Sequence, residues 1–268
     1  MNLLAETLKI QKDGYSQANA EAKLCQDIIV KAISNSTLNR NITIKGGVVM
    51  RSLSDNVRRA TQDLDIDFIK YSISDDSIAK FVRELNCVDG VKIAVAGKIE
   101  ELKHQDYKGK RIHIKVSDDE GNSITMKLDI GVHKDLDIEQ EEYCYDICFD
   151  DDSASVLINS KEQMITEKLK SLLRFGTRST RYKDVFDICY LSDYADYEKL
   201  YKCVKKYIYD DISLEVNDSE DIIKRVKKVF SNERYKNQVE RSKKNWLEIS
   251  IDDVFKKNVR FFENAFSD

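Results

Sequence analysis

An alternation of acidic and apolar residues runs through Thr61-Gln62-Asp63-Leu64-Asp65-Ile66-Asp67-Phe68. Successive side chains of a β-strand point to opposite faces, so a period of two residues predicts a strand with one buried face. The apolar residues of this strand would face a core, while Asp63, Asp65 and Asp67 would share the opposite face. The sequence therefore predicts a row of carboxylates on one side of a sheet.

Carboxylates this close repel one another, and one of them is driven toward protonation unless a cation lies between them. Magnesium prefers oxygen ligands, usually one or two carboxylates together with substrate phosphates. Two such ions about 4 Å apart stabilise the attacking and leaving oxygens of a phosphoryl displacement. A solvated face of an edge strand is the alternative interpretation of the same pattern.

Two neighbouring features favour the metal-binding interpretation. Gly46-Gly47 lies between a predicted strand, residues 41–45, and a predicted helix that begins near Val48. Glycine lets the backbone approach a ligand closely, and the free N–H groups of a helix N-terminus attract phosphate. Asp129 lies in a second alternating strand, predicted over residues 124–132. Acids from two strands beside a glycine turn indicate a two-metal nucleotide site.

A diglycine followed at a distance by Asp-apolar-Asp resembles the motif of the nucleotidyltransferase superfamily. Within it, Ile44-Lys45-Gly46-Gly47-Val48-Val49-Met50-Arg51 and Arg59-Ala60-Thr61-Gln62-Asp63-Leu64-Asp65-Ile66 resemble the AbiEii/AbiGii toxin family. Those proteins show a Lys-Gly-Gly opening and a later Arg-x-Ser/Thr-x-Asp-x-Asp stretch. Further along, Glu167-Lys168-Leu169 and Lys183-Asp184-Val185-Phe186-Asp187 resemble the family's Glu-Lys and Lys-Asp-x-x-Asp motifs. The resemblance runs in order from about residue 20 to residue 190.

The resemblance implies a metal-dependent nucleotidyltransferase and assigns roles to individual residues. Magnesium would be held by Asp63, Asp65 and Asp129, and Lys168 would be the fourth catalytic residue. The nucleotide would be bound by Gly46, Gly47, Arg51, Thr61, Lys183, Asp184 and Asp187. Asp67 forms a second Asp-x-Asp pair with Asp65. Asp63 and Asp65 are preferred because Thr61 then keeps its place two residues before the first acid.

Lys168 can also be placed by helical geometry. It falls inside the apolar stripe of its predicted helix, and a lysine on an inner face needs an anionic partner or a route to solvent. Asp184 lies within the stripe of the next predicted helix, and Asp187 lies at its edge. A triphosphate would be one partner for Lys168, and a structural ion pair with Asp184 is the alternative.

The pattern of elements predicts an α+β fold with a mixed or antiparallel sheet and flanking helices in residues 1–150. Strands are expected near residues 91–95, 111–116 and 124–132, and helices near residues 19–34 and 75–85. From Ser160 onward the helical period persists almost to the end. Residues 151–268 are therefore expected to form a helical bundle that completes the active-site cleft.

Charge and composition restrict the partners. The net charge of −4 excludes a chain that is basic as a whole, yet residues 224–244 carry nine basic residues against Glu233 and Glu240. This segment is either a phosphate-binding surface or a solvated helix face. Six scattered cysteines and the lack of a signal-like or membrane-length apolar run predict a cytoplasmic protein with no membrane partner.

The family resemblance also implies a biological role. It indicates the toxin of a bacterial toxin–antitoxin or phage-defence pair, with a nucleoside triphosphate as substrate and an RNA acceptor, above all the 3′ end of tRNA. A cognate antitoxin would be a further partner. Two other hypotheses remain: transfer of a nucleotide or phosphate to a protein or small molecule, and a nucleotide- or RNA-binding module without catalysis.

Overall fold

The structure, a computed structural model, describes residues 1–102 and 109–266 of the chain. The chain divides into two units, Met1–Asn159 and Ser160–Asp268. The first unit extends beyond residue 150 because Ala154–Ile158 forms a strand of its sheet. The second unit is helical.

The first unit contains a seven-stranded sheet within the described residues. Its strands are β1 (Ile42–Lys45), β2 (Leu64–Ile69), β3 (Val91–Leu102), β4 (Gly109–Asp118), β5 (Ser123–His133), β6 (Glu141–Tyr145) and β7 (Ala154–Ile158). Its helices are α1 (Leu3–Lys12), α2 (Gln17–Asn35), α3 (Gly47–Ser54) and α4 (Asp75–Glu84). The strand order is β3-β4-β5-β2-β1-β7-β6.

The strand β2 lies in the middle of this sheet. It pairs antiparallel with β1 and parallel with β5, and β1 also pairs parallel with β7. The apolar side chains of β2, which are Leu64, Ile66 and Phe68, are fully buried. The helix α2 packs against β5 and β7. The predicted α+β class, with a mixed sheet and flanking helices, is therefore confirmed.

Two elements of the first unit were not expected from the sequence. The helix α1 begins after Asn2, whose side chain accepts a hydrogen bond from the amide of Ala5, and it buries Leu3, Thr7 and Ile10. The strand β7 lies just beyond the expected end of the first unit at residue 150. Its five residues are too few to establish a period without a pairing partner.

The second unit contains α5 (Lys161–Phe175), α6 (Tyr182–Leu191), α7 (Tyr197–Val204), α8 (Ser219–Phe230), α9 (Glu233–Arg241) and α10 (Ile251–Ala265). Five of these helices begin after a residue whose side-chain oxygen accepts a hydrogen bond from the amide three positions on: Ser160, Asp196, Asp218, Asn232 and Ser250. Such N-caps define the helix starts in a chain that has no proline.

A membrane-spanning helix needs about 20 consecutive apolar residues. Within residues 1–102 and 109–266, none of the helices has the length and apolarity to cross a bilayer.

Candidate active site

The diglycine turn between β1 and α3 lies directly against two side chains of the acidic segment. Gly46 has φ 69° and ψ −134°, a conformation that residues with a Cβ rarely adopt. A Cβ added to Gly46 would lie 2.7 Å from Oδ2 of Asp65, and one added to Gly47 would lie 2.7 Å from Oγ1 of Thr61. Both glycines are therefore required by close approach to Thr61 and Asp65.

Carboxylates from two strands meet beside this turn. Asp65 on β2 and Asp129 on β5 are register partners in a parallel pair, so their side chains lie on the same face of the sheet. Asp63 precedes β2 by one residue, and Asp67 follows Asp65 on the same face. Asp65 is also the register partner of Lys45, the last residue before the diglycine. The sheet thus brings the three sequence-predicted acids to one place.

Basic side chains hold three of the four carboxylates. Arg111 binds Asp129 through two hydrogen bonds of 2.7 Å each. Lys127 contacts Asp63 at 2.8 Å, and Lys45 contacts Asp67 at 2.7 Å. Three bases therefore neutralise part of the negative charge of the four carboxylates.

Asp65 has the most strongly perturbed environment of the cluster. Its pKa is raised to about 6, first by burial; Lys45 opposes the shift, and the three neighbouring carboxylates add to it. A raised carboxyl pKa means that the ionised form lacks sufficient compensation. A proton or a divalent cation would supply that compensation at this position.

The donor chemistry of this site fits magnesium. Carboxylate oxygens are its preferred ligands, and it commonly takes only one or two of them, with phosphates and water completing the shell. In the described part of the chain, no group of three or more acids, histidines or cysteines is placed so that it could hold a metal ion. Arg111 and Lys127 contact oxygens of Asp129 and Asp63. The first unit thus offers a partial site that a phosphate-bearing ligand would complete.

Arg51 does not join this cluster. It was expected to bind nucleotide, but its side chain is 5% exposed and turned toward α2. There its guanidinium donates hydrogen bonds to Gln26 and Asp27, each at 2.9 Å. Arg51 therefore packs against α2 and binds two of its polar side chains.

The motifs of the second unit form a separate polar cluster between α5 and α6. Lys168 of α5 is 6% exposed and contacts Asp184 at 2.9 Å and Asp187 at 2.8 Å. Asp187 is fully buried and accepts a hydrogen bond of 3.1 Å from Nε1 of Trp246. Asp184 also contacts Arg181 at 2.7 Å. A buried lysine between two acids is the structural ion pair that helical geometry allowed.

Lys183 is the remaining motif residue. It lies half-buried in the first turn of α6, next to Asp184.

Sequence reasoning missed the basic partners of the acids. Lys127 lies two residues before Asp129 on the same strand, so a shared face was a signal that was available from the sequence. Arg111 is the register partner of Asp129 across β4 and β5, which only the strand pairing shows. Lys45 reaches Asp67 because β1 and β2 are neighbours.

Comparison with known proteins identifies the family of the chain. A sequence model for the family described as "Nucleotidyl transferase AbiEii toxin, Type IV TA system" matches residues 27–257, a range that contains every motif residue described above. No curated protein matches the chain. Among solved structures, one match is the crystal structure of an antigenic nucleotidyltransferase-like protein from Paracoccidioides brasiliensis. It shares 16% identity and a TM-score of 0.40, covering 77% of this chain and 96% of that chain.

Proposed function

Since the chain belongs to the AbiEii family of nucleotidyltransferase toxins, and is thus a nucleotidyltransferase, we propose that its reaction takes place at Asp63, Asp65 and Asp129. The observation that carries this proposal is the register of Asp65 and Asp129 on parallel strands beside Gly46. Two carboxylates and a close-approach turn match what transfer from a nucleoside triphosphate requires, namely a site for charge and a site for phosphate.

The phosphates of the nucleotide are bound at the diglycine. The helix α3 begins at Gly47, and its first internal hydrogen bond joins the amide of Met50 to the carbonyl of Gly46. The amides before Met50 have no carbonyl one turn back within the helix, so they are available to an anion. The hydroxyl of Thr61, which lies against Gly47, adds a further donor.

Magnesium is the cation that best fits the oxygen donors. Asp63 and Asp65 are the residues that would hold it, with Asp129 as a third ligand or as the base of the reaction. When bound, this ion supplies electrostatic stabilisation of the charge that develops on the transferred phosphate. Arg111 and Lys127 neutralise the same carboxylates in its absence and so reduce repulsion in the free protein.

The chemical step is a displacement at phosphorus. The acceptor hydroxyl oxygen forms a bond to the α-phosphorus, and the bond from that phosphorus to the oxygen that bridges to the β-phosphate breaks. Pyrophosphate leaves, and the proton of the hydroxyl goes to Asp129 if this carboxylate acts as the base, or to solvent if Asp129 is a metal ligand. The protein contributes mostly by positioning and by electrostatics, and losing one such contact would slow transfer by roughly a hundredfold or more.

We further propose that Lys168 takes part in this reaction, as the family motif implies. A lysine that is almost fully buried keeps its charge only where acids compensate it, and Asp184 and Asp187 do so. We infer that these acids orient the ammonium toward the phosphates and that Lys183 contributes a second positive charge.

We infer that the acceptor is RNA, specifically the 3′ end of tRNA, in the cytoplasm of a bacterium. The support from this chain is the basic segment 224–244. Lys227, Lys236 and Arg225 are paired with acids in the structure. The exposed remainder consists of Lys224, Lys228, Arg234, Arg241, Lys243 and Lys244. A cognate antitoxin would be the natural partner of such a toxin.

Labelled nucleotides, total RNA and total protein incubated with the wild type and with Asp65→Asn test this proposal. We expect magnesium-dependent labelling of tRNA, with added nucleotides at its 3′ end on sequencing, that Asp65→Asn abolishes. Asp119→Asn is the matched control, because Asp119 is exposed in the turn between β4 and β5. Labelling of protein or small molecules would reject the RNA acceptor, and an active Asp65→Asn would reject the site.

A further inference from the structure

A buried amide connects α2 to the segment that carries Thr61 and Asp63. Gln26 is fully buried, and its Nε2 donates to the carbonyl oxygens of Thr61 at 3.0 Å and Asp63 at 3.3 Å. This segment lies between a 3₁₀ turn at Val57–Arg59 and the start of β2. It lies outside the strand ladder, and the amide of Gln26 binds its backbone at two carbonyls.

The orientation of Gln26 is itself determined by charged neighbours. Nη1 of Arg51 donates to Oε1 of Gln26 at 2.9 Å, which leaves the NH₂ group to face the two carbonyls. Nη2 of Arg51 donates to Asp27 at 2.9 Å, and Asp27 also accepts from Lys23 at 2.5 Å. Asp27 is 1% exposed and Arg51 5%, so the network lies inside the protein.

A small shift of this segment would change the candidate site. Thr61 lies close against Gly47, since a Cβ added to Gly47 would be 2.7 Å from Oγ1 of Thr61. The carboxylate of Asp63 reaches Lys127 at 2.8 Å from the same segment. Displacements of about 1 Å cost roughly a hundredfold in rate when they move reacting groups.

We propose that Gln26 is a positioning residue for nucleotide transfer: it holds Thr61 and Asp63 at the diglycine turn, and Arg51 holds Gln26. This inference rests on the proposed function, because it assigns a purpose to the placement of Thr61 and Asp63. Gln26 acts through the backbone of that segment. It lies one residue before the range that the family model matches.

Gln26→Glu separates the two halves of the network. The carboxylate keeps an acceptor for Arg51 but places oxygen opposite two carbonyl oxygens, so the segment is repelled. We expect turnover at saturating nucleotide to fall by about ten- to a hundredfold. We also expect the magnesium concentration for half-maximal activity to rise, because Asp63 moves. A purely structural role would change neither the magnesium requirement nor turnover of the folded fraction.

Asn86→Asp is the matched control. Nδ2 of Asn86 donates to the carbonyls of Ile93 at 2.9 Å and Val82 at 3.1 Å, away from the acidic cluster. The Asn86→Asp substitution therefore removes the same kind of amide donor from these carbonyls, and we expect wild-type turnover. If Gln26→Glu does not fold, Gln26→Met, which is uncharged and of similar volume, replaces it with the same expected losses.

Asp65→Asn is assayed in the same series. If Asp65→Asn is inactive while the folded Gln26 variant keeps wild-type turnover and magnesium requirement, the positioning role is rejected and the proposed function stands. If Asp65→Asn remains active, the site itself is rejected, whatever Gln26 does. Loss of turnover with a raised magnesium requirement in the Gln26 variant alone, and not in Asn86→Asp, supports the inference.

Discussion

Asp65 on β2 and Asp129 on β5 stand side by side on parallel strands, so two carboxylates share one face of the sheet about 5 Å apart at the backbone. This arrangement is unfavourable for a protein without a bound cation. Burial raises the pKa of Asp65 to about 6, and the charge of Asp129 adds to that rise. A side chain that lowers stability and lies against a glycine turn is characteristic of function rather than of folding.

Asp65→Asn should stabilise the metal-free protein near neutral pH. The ordinary pKa of the carboxyl is 3.8, and in the folded protein it is about 6. Between these values the folded state binds more protons than the unfolded state, so the free energy of unfolding falls as pH rises from about 4 to about 6. Above pH 6 the ionised Asp65 lowers the free energy of unfolding by its full amount, which is at most about 3 kcal/mol.

Urea denaturation in a chelator from pH 4 to pH 8 measures this effect. The stabilisation by Asp65→Asn should be absent near pH 4 and full above pH 6, while Asp119→Asn, at an exposed turn, should show no such trend. An Asp65→Asn variant that is less stable than the wild type at pH 7 would contradict the burial of an uncompensated charge.

Gly46→Ala should impair both folding and transfer. The added Cβ would lie 2.7 Å from Oδ2 of Asp65, at a residue with φ 69°. The backbone strain costs about 1–3 kcal/mol, and the displaced carboxylate should reduce transfer by about a hundredfold. Thermal unfolding and the labelled-nucleotide assay provide the two measurements.

Gly121→Ala distinguishes the effect of backbone strain from the effect of the contact with Asp65. Gly121 also has a positive φ, 90°, but an added Cβ there meets nothing within 4 Å. We expect a similar loss of stability from strain with wild-type transfer. Equal activities of the two alanine variants would show that the approach of Gly46 to Asp65 has no catalytic consequence.

The alternation from Asp63 to Phe68 was sufficient to predict β2 and its row of acids, because a period of two is a local property. The pairing of β2 with β5 was not predictable in that way. Asp65 and Asp129 are 64 residues apart, and their meeting depends on which strands become neighbours. The same limit applies to Arg111, whose contact with Asp129 requires the register of β4.

The helical unit was more accessible to sequence reasoning. Lys168 and Asp184 fall on inward stripes of adjacent helices, so their contact follows from period and a short connection. Arg51 shows the opposite case. Its position in a family-like motif suggested nucleotide binding, whereas its contacts lie with Gln26 and Asp27 on α2. A motif fixes the order of residues along the chain, and packing decides which way each one points.

Lys168→Met should cost stability as well as transfer. Asp187 is fully buried and accepts a hydrogen bond from Trp246, and removing the ammonium takes away the cation that lies 2.8 Å from its carboxylate. Breaking a buried pair in this way costs roughly 3–5 kcal/mol. Urea denaturation and the transfer assay should therefore both show a loss.

The double variant Lys168→Met/Asp187→Asn distinguishes an ion pair from a functional lysine. Asparagine keeps an acceptor for Trp246 without the buried charge, so stability should recover toward the wild type while transfer stays lost. Recovery of transfer along with stability would mean that Lys168 serves only to neutralise Asp187.

The basic segment 224–244 should contribute to RNA binding. Arg241, Lys243 and Lys244 are exposed at and just after the end of α9. If they bind phosphates of an RNA acceptor, each contact releases counterions and steepens the dependence of the binding constant on salt, by about 0.7 per phosphate for single-stranded RNA. Changing all three to glutamate should weaken tRNA binding and flatten that slope by up to about 2.

Reversal of Lys199, Lys202 and Lys205 on and next to α7 is the control, since these lysines are also exposed and their reversal changes the net charge by a comparable amount. Fluorescence-anisotropy titrations at several salt concentrations measure both sets. A flattened slope for the first set alone identifies segment 224–244 as the RNA-binding surface. Equal slopes for both sets and the wild type would mean that this segment is a solvated helix face, and the acceptor RNA would have to contact other parts of the chain.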